Sequence, residues 1–259
     1  MTTTNVRVVA GVVLSLVLLL STWQLAILTH DIPAYSLPGP VATLGHILEH
    51  SGLLAARAGA TASAAAAGIV VAAVLALALA VAVVRWPVLQ RPVTGYALVL
   101  RTIPIVGVAP LITLVVGRGL WTSVLCVVIV ATFTLFVSAV TSVRSAPSAL
   151  DDLARLYQAG FARRCRTIYL PSAWAGLVVG LRITVPLSVM AVILSEWLSG
   201  RPGLGSLMAL SQANRDTPML WAATVVAATL GLLAYAAPDV ITHIAERRGY
   251  TVAVGTQEV

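Results

Sequence analysis

Residues 58–84 read AGATASAAAAGIVVAAVLALALAVAVV, a run without one charged side chain. A helix rising about 1.5 Å per residue needs roughly 20 such residues to cross a hydrocarbon core about 30 Å thick. Backbone groups in lipid must be paired within their own segment, so the stretch predicts a transmembrane helix. Gly59, Ser63 and Gly68 among the alanines offer a small face for close helix contact; an alanine-rich composition would spell the same pattern without a packing role.

Outward from this run, residues 8–29, 93–116, 120–143, 172–194 and 219–242 have the same length and apolarity. The first follows Arg7 as a signal peptide would, but it continues through Leu25, Ala26, Ile27 and Leu28 with no small-residue cleavage site, and reads as a retained anchor. The fold class is therefore all-α: a polytopic membrane protein with six transmembrane helices, residues 1–259 forming one transmembrane domain. Composition agrees, with 59% hydrophobic and 10% charged residues in 259. Soluble domains carry about 25% charged residues, so a soluble enzyme is excluded. Cys126 and Cys165 stand far apart, which implies neither a disulfide framework nor a metal site.

All 16 basic residues are arginines, set against 9 acidic ones. On so apolar a chain the excess marks cytoplasmic loops rather than nucleic-acid binding. With the N-terminus inside, the inner segments hold Arg7, Arg85, Arg91, Arg144, Arg155, Arg163, Arg164, Arg166, Arg247 and Arg248, and the outer ones only Arg57, Arg118, Arg201 and Arg215. Trp23, Trp86, Trp121, Trp174, Trp197 and Trp221 all fall near predicted span ends, at headgroup level. Both signals place the chain in the cell membrane with its two termini cytoplasmic, residues 243–259 being a cytoplasmic tail.

The inner loop 144–171, between spans four and five, is long and charged. Ser148 and Asp151 have capping-box spacing and predict a helix start. Leu153, Leu156, Tyr157, Gly160 and Phe161 then recur at helical spacing as one apolar stripe, flanked by Asp152, Arg155, Arg163 and Arg166. Such a helix either lies on the bilayer or docks into a groove on another protein.

Asp152-Leu-Ala-Arg-Leu-Tyr-Gln158, nine further residues, then Ile168-Tyr-Leu-Pro171 resembles the loop motif of ABC importer permeases: Glu-Ala-Ala, three residues, Gly, nine residues, Ile-x-Leu-Pro. Ala154, Ile168, Leu170 and Pro171 match; Asp152 keeps the charge of the glutamate, Leu153 replaces the first alanine and Gln158 stands at the glycine, with Gly160 two residues on to supply the turn. Leu37-Pro-Gly-Pro40, Arg101-Thr-Ile-Pro104, Ala109-Pro-Leu111, Ser195-Glu-Trp197 and Gly203-Leu-Gly205 are similar to successive landmarks of the nitrate, sulfonate, taurine and bicarbonate branch, so the likeness extends over residues 37–239. The resemblance implies a permease that imports a small solute by alternating access, paired with a second copy or a paralogue, served by an extracytoplasmic substrate-binding protein and seated on two ABC ATPase subunits. The loop would then be the coupling helix, with Asp152 to Pro171 as its contact stretch. ATP is the partners' cofactor. A phosphate loop ends in Gly-Lys-Ser/Thr, and a sequence without lysine contains none. The rival reading is a gradient-driven transporter or channel whose loop helix merely lies on the membrane.

Single residues carry both plain and functional readings. Arg101, with Thr102 and Pro104, either lines a pathway or snorkels to the inner surface. Arg182 reads as structural. Pro104 and Pro110 predict a kink or break in the third span. Glu196, beside Trp197, reads as a solvated outer helix end, with a gate or a contact with a substrate-delivery protein as its functional alternatives. His30, His46, His50 and His243 are scattered, and no metal or catalytic role is expected of them.

Overall fold

The computed structural model describes residues 2–30, 33 and 35–247, and these form helices and turns without a strand. In chain order the helices are α1 (Thr2–Thr29), α2 (Pro40–Glu49), α3 (Ser51–Arg85), α4 (Gln90–Thr102), α5 (Ile105–Val116), α6 (Leu120–Arg144), α7 (Ser148–Leu156), α8 (Phe161–Arg164), α9 (Leu170–Ser199), α10 (Leu204–Ala213) and α11 (Thr217–Arg247). A π-helical turn over Cys165–Tyr169 joins α8 to α9, so Phe161–Ser199 is one rod. Among the described residues, that rod, α3, α6 and Thr217–Pro238 are long and apolar enough to cross a membrane, and Val17–Thr29 and Ile105–Val116 are shorter apolar helices. These six segments fall on the six predicted spans.

The predicted third span is broken, as its prolines suggested. Proline lacks an N–H and drives the preceding residue out of the helical region, so α4 ends at Thr102 and Pro104 caps α5. Pro110, by contrast, lies within α5. Two of the connections between spans hold short helices: α2 starts with Pro40 in its first turn, where a missing N–H is harmless, and α10 lies between α9 and α11. Of the tail expected at 243–259, residues 243–247 extend α11 and the remainder lies outside the described residues.

Packing between α3, α6 and α9 relies on small residues. Ala64, Ala72, Ala76 and Ala80, with Gly68 between, form a fully buried row at four-residue spacing on α3. A methyl group on Gly68 would stand 2.5 Å from the Val127 Cβ on α6. One on Gly176 of α9 would meet the Ser138 carbonyl oxygen at 2.3 Å. Without a hydrophobic drive between helices in lipid, this close approach is what secures the bundle. A second core gathers Leu54, Leu204, Leu207, Met208, Met219 and Ala222, where α10 sits on α3 and α11.

Candidate functional site: the loop between α6 and α9

The loop is a helix, a turn and a return into the membrane. Its helix start differs from the predicted capping box: Pro147 occupies the N-cap and Ser148 is the first helical residue. Asp151 faces the returning chain instead. Its Oδ1 accepts from Arg164 at 2.9 Å (Nε) and 2.5 Å (Nη2) and from the Tyr169 hydroxyl at 2.7 Å, while Oδ2 accepts from Arg155 Nε at 3.2 Å. Arg164 also donates to the Tyr169 hydroxyl. These bonds tie α7 to the foot of the span that α9 continues.

Partial burial works to raise the Asp151 carboxyl, but the Tyr169 hydroxyl and the Arg164 and Arg155 guanidiniums outweigh it and hold it below the ordinary carboxylate value. A carboxylate so depressed stabilises the fold above its unfolded pKa of about 3.9, and the contribution is lost as pH falls through its folded value. Asp151→Asn therefore lowers the melting temperature at neutral pH, and the gap to the natural protein closes as pH drops below the carboxylate range. A gap that persists there would remove the latch from the account.

The predicted stripe is corrected in part, because the helix ends earlier than its spacing implied. α7 stops at Leu156, Tyr157 is its C-cap, and Gln158 takes φ +52°, the left-handed region. The Gln158 N–H bonds the Arg155 carbonyl at 2.9 Å and the Ala159 N–H that of Ala154 at 2.8 Å, the two bonds of a Schellman ending. Gly160, expected to supply the turn, has φ −61°, which any residue adopts. The left-handed residue thus sits where the family motif has glycine. Replacing a side chain there removes a conformational cost of about 1–2 kcal/mol, so Gln158→Gly raises the melting temperature and Gln158→Val lowers it.

Leu150, Leu153, Leu156 and Tyr157 form the exposed apolar face, the last two being 80% and 79% exposed. Leu150 escaped the sequence reading, although it lies one turn before Leu153. Phe161 was assigned to this face and belongs to the opposite side: it is half-buried, stacks with Tyr169 at 6.1 Å, and lies under the Arg85 guanidinium at 5.3 Å. Ala154 also turns inward against the main core, while Asp152, Gln158 and Gly160 are exposed. Ile168 is buried and Leu170 half-buried, whereas Pro171, in the first turn of α9, is exposed. The Ile-x-Leu-Pro end of the motif is the foot of a span rather than loop. Arg144 at the end of α6 bonds the Gln90 side chain, so the ends of α3, α4, α6 and α9 converge around α7.

The other singled-out residues lie apart from this loop. Thr102 and Pro104 are exposed at the α4–α5 break, the Thr102 hydroxyl donating to the Val99 carbonyl at 2.8 Å, and the Arg101 side chain lies outside the described residues. Glu196 is fully buried, which overturns its reading as a solvated helix end. Its carboxylate accepts from the Thr61 hydroxyl at 2.8 Å, Arg201 Nη1 at 3.0 Å and the Gly205 N–H at 3.2 Å. Thr61 in turn accepts from the Leu204 N–H at 3.0 Å. A Cβ on Gly205 would lie 1.9 Å from the Ile193 carbonyl oxygen, so only glycine lets α10 come this close to α9.

The family model described as binding-protein-dependent transport system inner membrane component matches residues 68–248. The riboflavin transport system permease protein of Chloroflexus aurantiacus is 32% identical over 92% of this chain and 89% of its own length. The formylaminopyrimidine transport permease protein of Halalkalibacterium halodurans is 28% identical over 60% of this chain and 62% of its own. The putative aliphatic sulfonates transport permease protein of Bacillus subtilis is 22% identical over 58% and 52%. In fold, a chain of the inward-facing MetNI methionine ABC transporter superposes with a TM-score of 0.62 at 20% identity, covering 76% of this chain and 97% of that one.

Proposed function

This chain belongs to the family of binding-protein-dependent transport system inner membrane components, and from that premise we propose that it translocates a small heterocyclic solute into the cytoplasm, driven by ATPase subunits that grip α7. The observation that carries the coupling is the α7 face itself. Leu150, Leu153, Leu156 and Tyr157 point away from a helix whose other side is latched to the span by Asp151, Arg164 and Tyr169. A short amphipathic helix held rigidly at the foot of a span passes a docking motion to that span as a two-state shift. The break at Thr102–Pro104 is the hinge by which α4 and α5 follow, and alternating access results. A second copy or paralogue completes the pathway, an extracytoplasmic binding protein delivers the solute to the α2 and α10 side, and the arginine bias supports cytoplasmic termini.

The heterocyclic class is supported by the relatives named for riboflavin and for formylaminopyrimidine, which match more of this chain and at higher identity than the relative named for sulfonates. The test is uptake in proteoliposomes containing this chain with its ATPase and binding-protein partners. Labelled riboflavin or formylaminopyrimidine accumulates only with ATP at the ATPase side. Accumulation of an alkanesulfonate in their place would contradict the substrate class, and accumulation without ATP would contradict the coupling.

A further inference from the structure

At about 1.5 Å per residue, the 35 residues of α3 separate its two ends by about 52 Å, with Arg85 beside the α7 loop at one end and His50 at the other. His50 is both the C-cap of α2 and the N-cap of α3, so it stands at the corner between them. His46 lies four residues earlier, on the same face of α2, with Glu49 beside it. One ligand atom from each of the three side chains lies within 4.8 Å of the others. The sequence expectation treated the histidines as scattered and did not weigh this i, i+3, i+4 set.

We propose that His46, Glu49 and His50 bind a divalent transition-metal ion, zinc being the reference ion, at the α2–α3 corner. The two imidazole rings lie 4.3 Å apart, tilted by 34°. The His50 Nδ1 stands 3.2 Å from the His46 carbonyl oxygen; a neutral ring donating there keeps its lone pair on Nε2, as supported metal-ligating histidines do. The Glu49 carboxylate approaches His46 Nδ1 at 4.0 Å, too far for a hydrogen bond, and so is uncommitted. Its side chain is 72% exposed and free to turn inward, which brings the donors toward the roughly 3.3 Å separations of a tetrahedral site with bonds of about 2.0–2.1 Å. Two nitrogens and one oxygen suit zinc, nickel or copper rather than magnesium or calcium, and partial exposure leaves a fourth position for water. A bound ion would staple the end of α2 to the start of α3, where Ile47 and Leu54 reach the second core. The site stands whether or not the chain carries the solute proposed above.

The experiment is calorimetric titration of zinc into the full chain in detergent, purified without a polyhistidine tag, with melting curves recorded with and without the metal. One ion binds per chain and raises the melting temperature. His46→Ala and His50→Ala each weaken binding by at least about 100-fold, the upper end of what loss of a mere supporting group does, while His30→Ala leaves it unchanged. Melting of the metal-free variants at the natural temperature shows that ligand loss, and not misfolding, is responsible. Absence of zinc binding to the natural protein, or equal binding to the His46→Ala/His50→Ala double variant, would overturn the site.

Discussion

The Tyr157→Arg variant loses ATP-driven uptake altogether while it inserts in the membrane and melts as the natural protein does. Tyr157 is 79% exposed and makes no described hydrogen bond through its side chain, so the fold does not depend on it. A surface aromatic next to Leu153 and Leu156 is the kind of residue whose truncation costs a docked complex about 2 kcal/mol or more, roughly a 30-fold loss of affinity. Arginine adds to that loss a charge that docking of this apolar face would have to desolvate. Leu156→Ala, which removes apolar area without adding charge, gives a graded loss. Uptake measured in cells expressing either variant with the partner subunits checks both. Undiminished transport by Tyr157→Arg would mean that the α7 face lies on lipid.

The Glu196→Ala variant, at the opposite end of the same rod, fails to fold to a monodisperse species or melts far below the natural protein. Removing one member of a buried ion pair costs about 3–5 kcal/mol, because the partner charge is left without compensation. Here Arg201 and the Gly205 N–H lose the Glu196 acceptor at once, and the Thr61 hydroxyl is left with the Arg57 carbonyl at 3.2 Å. Glu196→Gln keeps an acceptor oxygen for Thr61 or Gly205 and loses less. Thermal melting in detergent checks the order alanine, glutamine, natural. A Glu196→Ala protein within about 1 kcal/mol of natural stability would show that α10 is held by its apolar contacts alone.

Much of this architecture is legible in the residues. Apolar length marks the spans, Pro104 marks the break, and the Ile-x-Leu-Pro match places the α7 loop at the foot of a span. What the residues hide follows from tertiary context. Spacing could not show that the loop helix ends at Leu156, because a Schellman ending normally announces itself by glycine and here Gln158 fills the left-handed position. Phe161 keeps the helical phase in sequence, but the turn after Tyr157 resets it, and the ring packs against Arg85 and Tyr169. Glu196 looks like a solvated end because its partners Thr61, on α3, and Gly205, in the first turn of α10, are brought to it only by the fold. The His46, Glu49 and His50 spacing is legible in the residues, since it needs only the helix of α2, but that segment reads as loop until Pro40 is recognised as a helix start.

The most direct test of the account is mild-detergent purification of the tagged full chain from its own host, with the retained partners identified by mass and assayed for ATP hydrolysis. The account predicts that the natural protein carries an ATPase subunit and hydrolyses ATP, and that Tyr157→Arg, equally folded, comes away without it. A natural protein that stays folded and purifies with no ATPase, or a Tyr157→Arg variant that retains one undiminished, would contradict it.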